Sequence, residues 1–183
     1  MNETIRIGDT TVRLIKGDIT DQEIEAFVYY ARHNLALGSG FGTAITVRGG
    51  PDIQKELDTL GPIETTEVVV SNAGELKADK IIHAVGPRFQ EVDLPAKLAT
   101  TIRNCLSAAR EHDISSLAFP PMGVGFYGVP LDLCARIMLA TFQEVLRQSP
   151  GMREIVICAN DSREYEPFRQ LLQNFSTTKE YVQ

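Results

Sequence analysis

Only three cysteines occur in the 183-residue sequence, Cys105, Cys134 and Cys158, widely separated and set among apolar neighbours. With no Cys-x-x-Cys pair and no His/Cys cluster, neither a metal site nor a disulfide scaffold is expected. The three read instead as buried, reduced thiols. Basic charge is also short. Eighteen Lys and Arg against 24 Asp and Glu leave a net charge of −6. That sign argues against general nucleic-acid binding, which depends on neutralising phosphates. No apolar run approaches a membrane span, and the N-terminal MNETIRIGD lacks the basic-then-apolar layout of a signal peptide. A cytoplasmic protein without direct membrane contact is expected, and nothing in the sequence calls for a cofactor.

What is present is ordinary for a globular chain, 43% hydrophobic and 23% charged residues. A chain of this length buries roughly 70% of its unfolded surface, enough for one core. No linker or repeat interrupts it, so residues 1–183 are read as a single domain, with 176–183 as a frayed tail. Strand-like segments at 11–16, 26–31, 67–71, 80–85, 116–119 and 154–159 alternate with helical patterns at 51–61, 94–111, 130–148 and 163–175. The helix at 94–111 carries Leu98, Ile102, Cys105, Leu106 and Ala109 on one face. Repeated strand–helix units predict an α/β fold, a largely parallel sheet covered by helices on both faces. Ligands of such sheets bind beyond the carboxyl ends of the strands. The segments after Ala31, Val85, Phe119 and Ala159 are therefore where a site is sought.

Two of those segments are rich in glycine. Gly38-Ser39-Gly40-Phe41-Gly42 follows a strand and precedes Thr43-Ala44-Ile45-Thr46, which reads as a helix start. Glycine permits positive φ and close approach of backbone to ligand, and a helix start offers unpaired N–H groups to an anion. No Gly-Lys-Ser/Thr follows and the dinucleotide GxGxxG spacing fails, so neither a P-loop nor a Rossmann turn is indicated. Gly123-Val124-Gly125-Phe126-Tyr127-Gly128 has the same strand–glycine–helix order. Together the two turns suit a diphosphate gripped by backbone N–H groups without Lys or Arg, consistent with the acidic composition.

Lys16-Gly17-Asp18-Ile19-Thr20, Gly38-Ser39-Gly40, the run from Ile81 to Pro87 (IIHAVGP) and the run from Ala118 to Pro130 (AFPPMGVGFYGVP) together resemble a macro domain. The resemblance spans about Val12 to Phe168. It implies a three-layer α/β/α sandwich with a mixed, largely parallel sheet of six or seven strands, binding ADP-ribose at the sheet's crest. By the same resemblance Asp18 accepts a hydrogen bond from the adenine amino group, with Ile19 beside the base. Gly38, Ser39, Gly40 and Phe41 form one phosphate loop, and Gly123, Val124, Gly125, Phe126 and Tyr127 the other. The expected partner is ADP-ribose or an ADP-ribosylated macromolecule. His83, inside a strand, reads as a structural histidine, and His112, near a helix end, as solvent-facing.

The chain departs from the family at the positions its hydrolytic members use. Where those carry Asn-Ala-Ala-Asn, this chain has Tyr29-Tyr30-Ala31-Arg32; the aspartate and histidine positions hold Gly42 and Thr46. Losing one polar contact to a transition state costs about 2.7–4 kcal/mol. A binding module with a distal-ribose subsite remodelled by Tyr29, Tyr30 and Arg32 is therefore expected. Two alternatives stand beside it. One is a hydrolase of ADP-ribosyl bonds, or of O-acetyl-ADP-ribose or ADP-ribose 1″-phosphate, using Arg32 or His33 as replacement catalytic groups. The other is an assembly surface whose cleft Tyr29 and Tyr30 block.

Overall fold

The computed structural model describes residues 3–180. The chain opens with a hairpin of β1 (Glu3–Ile7) and β2 (Thr10–Lys16). A 3-10 turn (Ile19–Asp21) then leads to β3 (Ala26–Tyr30), α1 (Phe41–Gly49) and α2 (Asp52–Leu60). Next come β4 (Val68–Asn72), β5 (Lys80–Ala84), α3 (Leu94–Glu111) and β6 (Ser116–Phe119). The order closes with α4 (Leu131–Gln148), β7 (Glu154–Ala159) and α5 (Ser162–Glu180). Seven strands form one mixed sheet in the order β1-β2-β7-β6-β3-β5-β4. The outer pairs β1/β2 and β4/β5 are antiparallel, while β2/β7, β6/β7, β3/β6 and β3/β5 are parallel.

Strand periodicity divides the core between two faces. Along β3, Ala26, Val28 and Tyr30 join one buried cluster with α3, α4 and α5, whereas Phe27, Tyr29 and Ala31 turn toward the other, closed by α1 and α2. On α3 the i, i+4, i+8 spacing of Leu94, Leu98 and Ile102 buries all three. Phe142 of α4 packs on Phe119 of β6 with ring centroids 5.0 Å apart. Burying such a ring contributes roughly 1.5–3 kcal/mol.

The sheet has the upper of the two expected strand numbers, and α3 and β7 keep their expected bounds. Three elements differ from expectation by more than one residue. β1 was not foreseen: it is short, and half of it (Thr4, Arg6) faces water. α1 begins at Phe41 rather than Thr43, because Gly40 at φ 65 ends the turn and Thr43 and Ala44 already donate back to its carbonyl. α5 carries on past Phe175 to Glu180 where a frayed tail was expected, and residues 181–183 of that tail lie outside the described residues. Among the described residues no helix is long and apolar enough to cross a membrane.

Candidate functional site

Because β2, β7, β6 and β3 lie side by side and run parallel, their carboxyl ends open on one rim. Residues from the ends of these strands and the segments after them, among them Ile19 and Thr20 after β2, Tyr29 and Arg32 at the end of β3, Gly125 and Tyr127 after β6 and Asn160 and Glu164 after β7, contribute to one cleft there. Its volume is about 320 Å³, within the roughly 300–1,000 Å³ range of small-molecule sites. The segment after Val85, also sought as a site, contributes nothing to its lining: Gly86 and Pro87 are buried behind Tyr30.

Both glycine turns reach this rim. Gly38 and Gly40 take φ of 57° and 65°, and Gly123 and Gly125 take 76° and 89°. L side chains rarely adopt such angles. No acceptor among the described residues receives the amides of Gly38, Ser39, Gly40 or Phe41, nor those of Gly125, Phe126 or Tyr127. The second turn is pinned from behind instead, by Val129 N–H on the Gly123 carbonyl at 3.0 Å and Gly128 N–H on the Gly125 carbonyl at 3.0 Å. The first group adjoins the N-terminus of α1, whose dipole adds a partial positive charge. Two phenylalanines mark the mouth: Phe41 is 43% exposed and Phe126 84% exposed.

At the β2 end of the cleft, Ile19 is buried and lines the wall. Asp18 caps the 3-10 turn. Its Oδ1 accepts from the Thr20 amide at 2.9 Å and the Thr20 hydroxyl at 2.6 Å, and its Oδ2 pairs with Arg48 at 2.7 Å. Burial alone would raise this carboxyl, but the bonds from Thr20 and Arg48 outweigh it and hold the pKa below the usual carboxylate value. Asp18 sits on the rim between the lining residues Gly17 and Ile19 rather than in the wall itself. Opposite, the Cys158 thiol donates to the Gly17 carbonyl at 3.3 Å, and burial pushes it up to about 12, so it is no nucleophile at neutral pH. Glu164 also lines the cleft; its Oε2 is buried with no hydrogen-bond partner, and burial raises its pKa.

At the β3 end, Tyr30 turns into the core, donates its hydroxyl to the Pro87 carbonyl and stacks on Tyr127 at 4.9 Å. Tyr29 lines the cleft and donates to the Leu37 carbonyl at 3.3 Å. Arg32 lies across the gap between the two glycine turns. Its Nη2 donates to Ser39 Oγ at 3.3 Å, and a Cβ on Gly38 would stand 3.0 Å from its Cζ. Thr46 is exposed and bonds back to the Gly42 carbonyl at 3.0 Å. His33 does not line the cleft; its Nδ1 meets the Ile63 carbonyl at 2.9 Å. The structure thus brings Ile19, Tyr29, Tyr30, Arg32 and both turns together, leaves Asp18 at the rim, and leaves His33 out.

The macro domain profile matches residues 30–138. A macro domain-containing protein of Caldanaerobacter subterraneus is 36% identical over 166 residues, 86% of this chain and 93% of that one. This chain belongs to the macro domain family. The Oceanobacillus iheyensis macrodomain, solved with ADPR as a mutant and separately with ADP, superposes on it at a TM-score of 0.91 with 26% identity, covering 97% of this chain and 98–100% of that one. A Trypanosoma brucei macrodomain in complex with ADP superposes at 0.81 with 28% identity, over 87% of this chain and 67% of that one.

In this macro domain the packing around Gly42 is closed to a side chain. A Cβ on Gly42 would stand 1.7 Å from the Leu37 carbonyl oxygen and 2.8 Å from the Tyr29 hydroxyl. No side chain fits there. His83 is buried, its Nε2 paired with Ser71 at 2.7 Å and its Nδ1 without a hydrogen-bond partner among the described residues, and burial depresses its pKa to about 3. Sequence reasoning missed Thr20, Arg48, Asn160, Arg163 and Glu164 as cleft or rim residues. The last three follow β7, one of the strand ends singled out for search, but they carry no glycine signature. Arg48 reaches Asp18 across 30 residues, a contact that spacing cannot reveal.

Proposed function

We propose that this macro domain binds ADP-ribose, free or attached to a macromolecule, through its adenine and pyrophosphate. The observation that carries this reading is the pair of glycine turns on one rim, with seven amides that have no internal acceptor. Six of the seven residues are exposed, so their amides are open to solvent and free to meet a diphosphate's oxygens. The Oceanobacillus and Trypanosoma macrodomains with ADPR or ADP support the same ligand class. Asp18 is assigned to the adenine amino group, with its charge maintained by Thr20 and Arg48, and Ile19 to the base's flank. Tyr29 and Tyr30 leave the cleft open, which favours binding over a blocked assembly surface.

Hydrolysis draws no such support. Gly42 has no room for an aspartate, the Thr46 hydroxyl is bound to a helix carbonyl, and His33 lies off the cleft. A reader of ADP-ribose, acting in the cytoplasm, is the function assigned. Titration calorimetry of the full chain with ADP-ribose tests it. A saturable one-to-one isotherm is expected, and silence at millimolar ligand would refute the assignment.

A further inference from the structure

Arg32 is a cation in the cleft wall with no carboxylate to neutralise it. Ion pairs among the described residues employ Arg13, Arg48, Lys55, Lys77, Lys97, Arg103 and Arg169, but not Arg32. Its hydrogen-bond partner is a neutral hydroxyl, Ser39 at 3.3 Å on the first glycine turn, and Tyr127 of the second turn lines the same cleft. Gly38 lies flat against the guanidinium, leaving the loop amides and the fork on one side of the cleft. Glu91, whose charge acts on Tyr30 and His33, is engaged by Lys97 at 3.2 Å and by the Arg88 amide at 2.9 Å. Glu164, the carboxylate in the cleft lining, enters from α5, and among the described residues no ion pair joins it to Arg32. Arg88 adds a second cation, its Cζ 5.9 Å from the centre of the Tyr127 ring. Burial raises the phenol pKa of both Tyr29 and Tyr127, and the Arg32 charge opposes the rise at each, which puts both hydroxyls within its field.

A ribose diol is best met by paired neutral acceptors and donors, such as an amide side chain. Here that end of the cleft offers a planar, permanently charged fork and hydroxyls able to rotate, the donor set that suits a phosphoryl group. We propose that the cleft beyond the pyrophosphate is an anion subsite, in which Arg32, supported by Ser39 and Tyr127, receives a further phosphoryl group of the nucleotide. This rests on the nucleotide-diphosphate reading above and adds a specificity to it: ligands that end in phosphate are preferred over those that end in a neutral sugar.

The test is calorimetry of the full chain with ADP, ATP and ADP-ribose, in chelator and at fixed ionic strength, for the natural protein and for Arg32→Gln. ATP should bind at least about tenfold tighter than ADP, as a charge-assisted bidentate contact allows. In Arg32→Gln that ratio should fall below about threefold, and the readout is the ratio itself rather than the affinity for either ligand. A ratio near one in the natural protein overturns the anion subsite, and so does a ratio that survives in Arg32→Gln. In either case ADP-ribose binding leaves the proposed function standing. If none of the three ligands binds, both readings fall. Should Arg32→Gln not fold, Arg32→Lys keeps the charge without the fork and is expected to retain only part of the preference; full retention there counts against a bidentate contact.

Discussion

The Tyr29 hydroxyl occupies space that any side chain at position 42 would need, only 2.8 Å from where a Gly42 Cβ would sit. The two departures from the hydrolytic pattern are therefore one structural event. A tyrosine on β3 reaches across to the Leu37 carbonyl, and the residue facing it on α1 is held to glycine. Restoring a catalytic aspartate by Gly42→Asp alone should fail. The backbone clash at 1.7 Å adds to the tyrosine contact, and overpacking of this kind costs about 1–3 kcal/mol or more. For a chain of this size each kcal/mol lowers Tm by roughly 2–4 °C. A melt of Gly42→Asp should fall by about 2–12 °C, with no hydrolysis gained; an unchanged Tm would show that α1 can shift away.

Asp18 holds two roles that can be separated. It caps the 3-10 turn through Thr20 and, in the proposed function, reads the adenine amino group. Asparagine caps as well as aspartate, whereas alanine loses about 1 kcal/mol. Asp18→Asn should melt close to the natural protein yet bind ADP-ribose at least about tenfold more weakly, since the charge and one acceptor are gone. Asp18→Ala should lose both. Equal binding by Asp18→Asn would move base recognition elsewhere.

How far the sequence carried these conclusions depended on the range of the interactions concerned. Continuous apolar runs such as Ile155 to Ala159, buried on both faces, and the i, i+4 face of α3 are local, and they marked the parallel strands and their helices without help from tertiary contacts. Glycine turns after β3 and β6 are equally local, so the rim could be placed. By contrast, Arg48 meeting Asp18, Arg32 sharing the cleft with Tyr127 and Glu164 entering from α5 depend on chain crossovers that no window spans. The strand β1 carried a readable alternation, with Ile5 and Ile7 buried and Thr4 and Arg6 outside, but five residues make a weak signal.

Phe126 has little to hold it in the unliganded protein beyond an edge contact on Tyr127, with ring centroids 5.3 Å apart. Its exposure means that Phe126→Ala should change Tm by less than about 2 °C, as surface substitutions do. If the ring folds over the phosphate loop when ligand arrives, the same variant should weaken ADP-ribose binding roughly three- to tenfold by loss of buried apolar area. Unaltered affinity would leave the exposed ring without a part in the site.

Glu164 sets a pH dependence whose direction can be worked out. Its folded pKa is raised, chiefly by burial, with Asp161 adding to the rise. A carboxyl of that kind favours the folded state most when protonated. Its contribution is fully present below the unfolded value near 4.5 and is lost as pH climbs through the higher folded value. Glu164→Gln keeps the shape and removes the charge left with an unpartnered oxygen. The variant should therefore match the natural protein in thermal melts near pH 4 and exceed it near pH 7, with the gap opening between those limits. A gap that stays constant across that interval, or one that opens toward acid, would mean that the buried oxygen is paired after all.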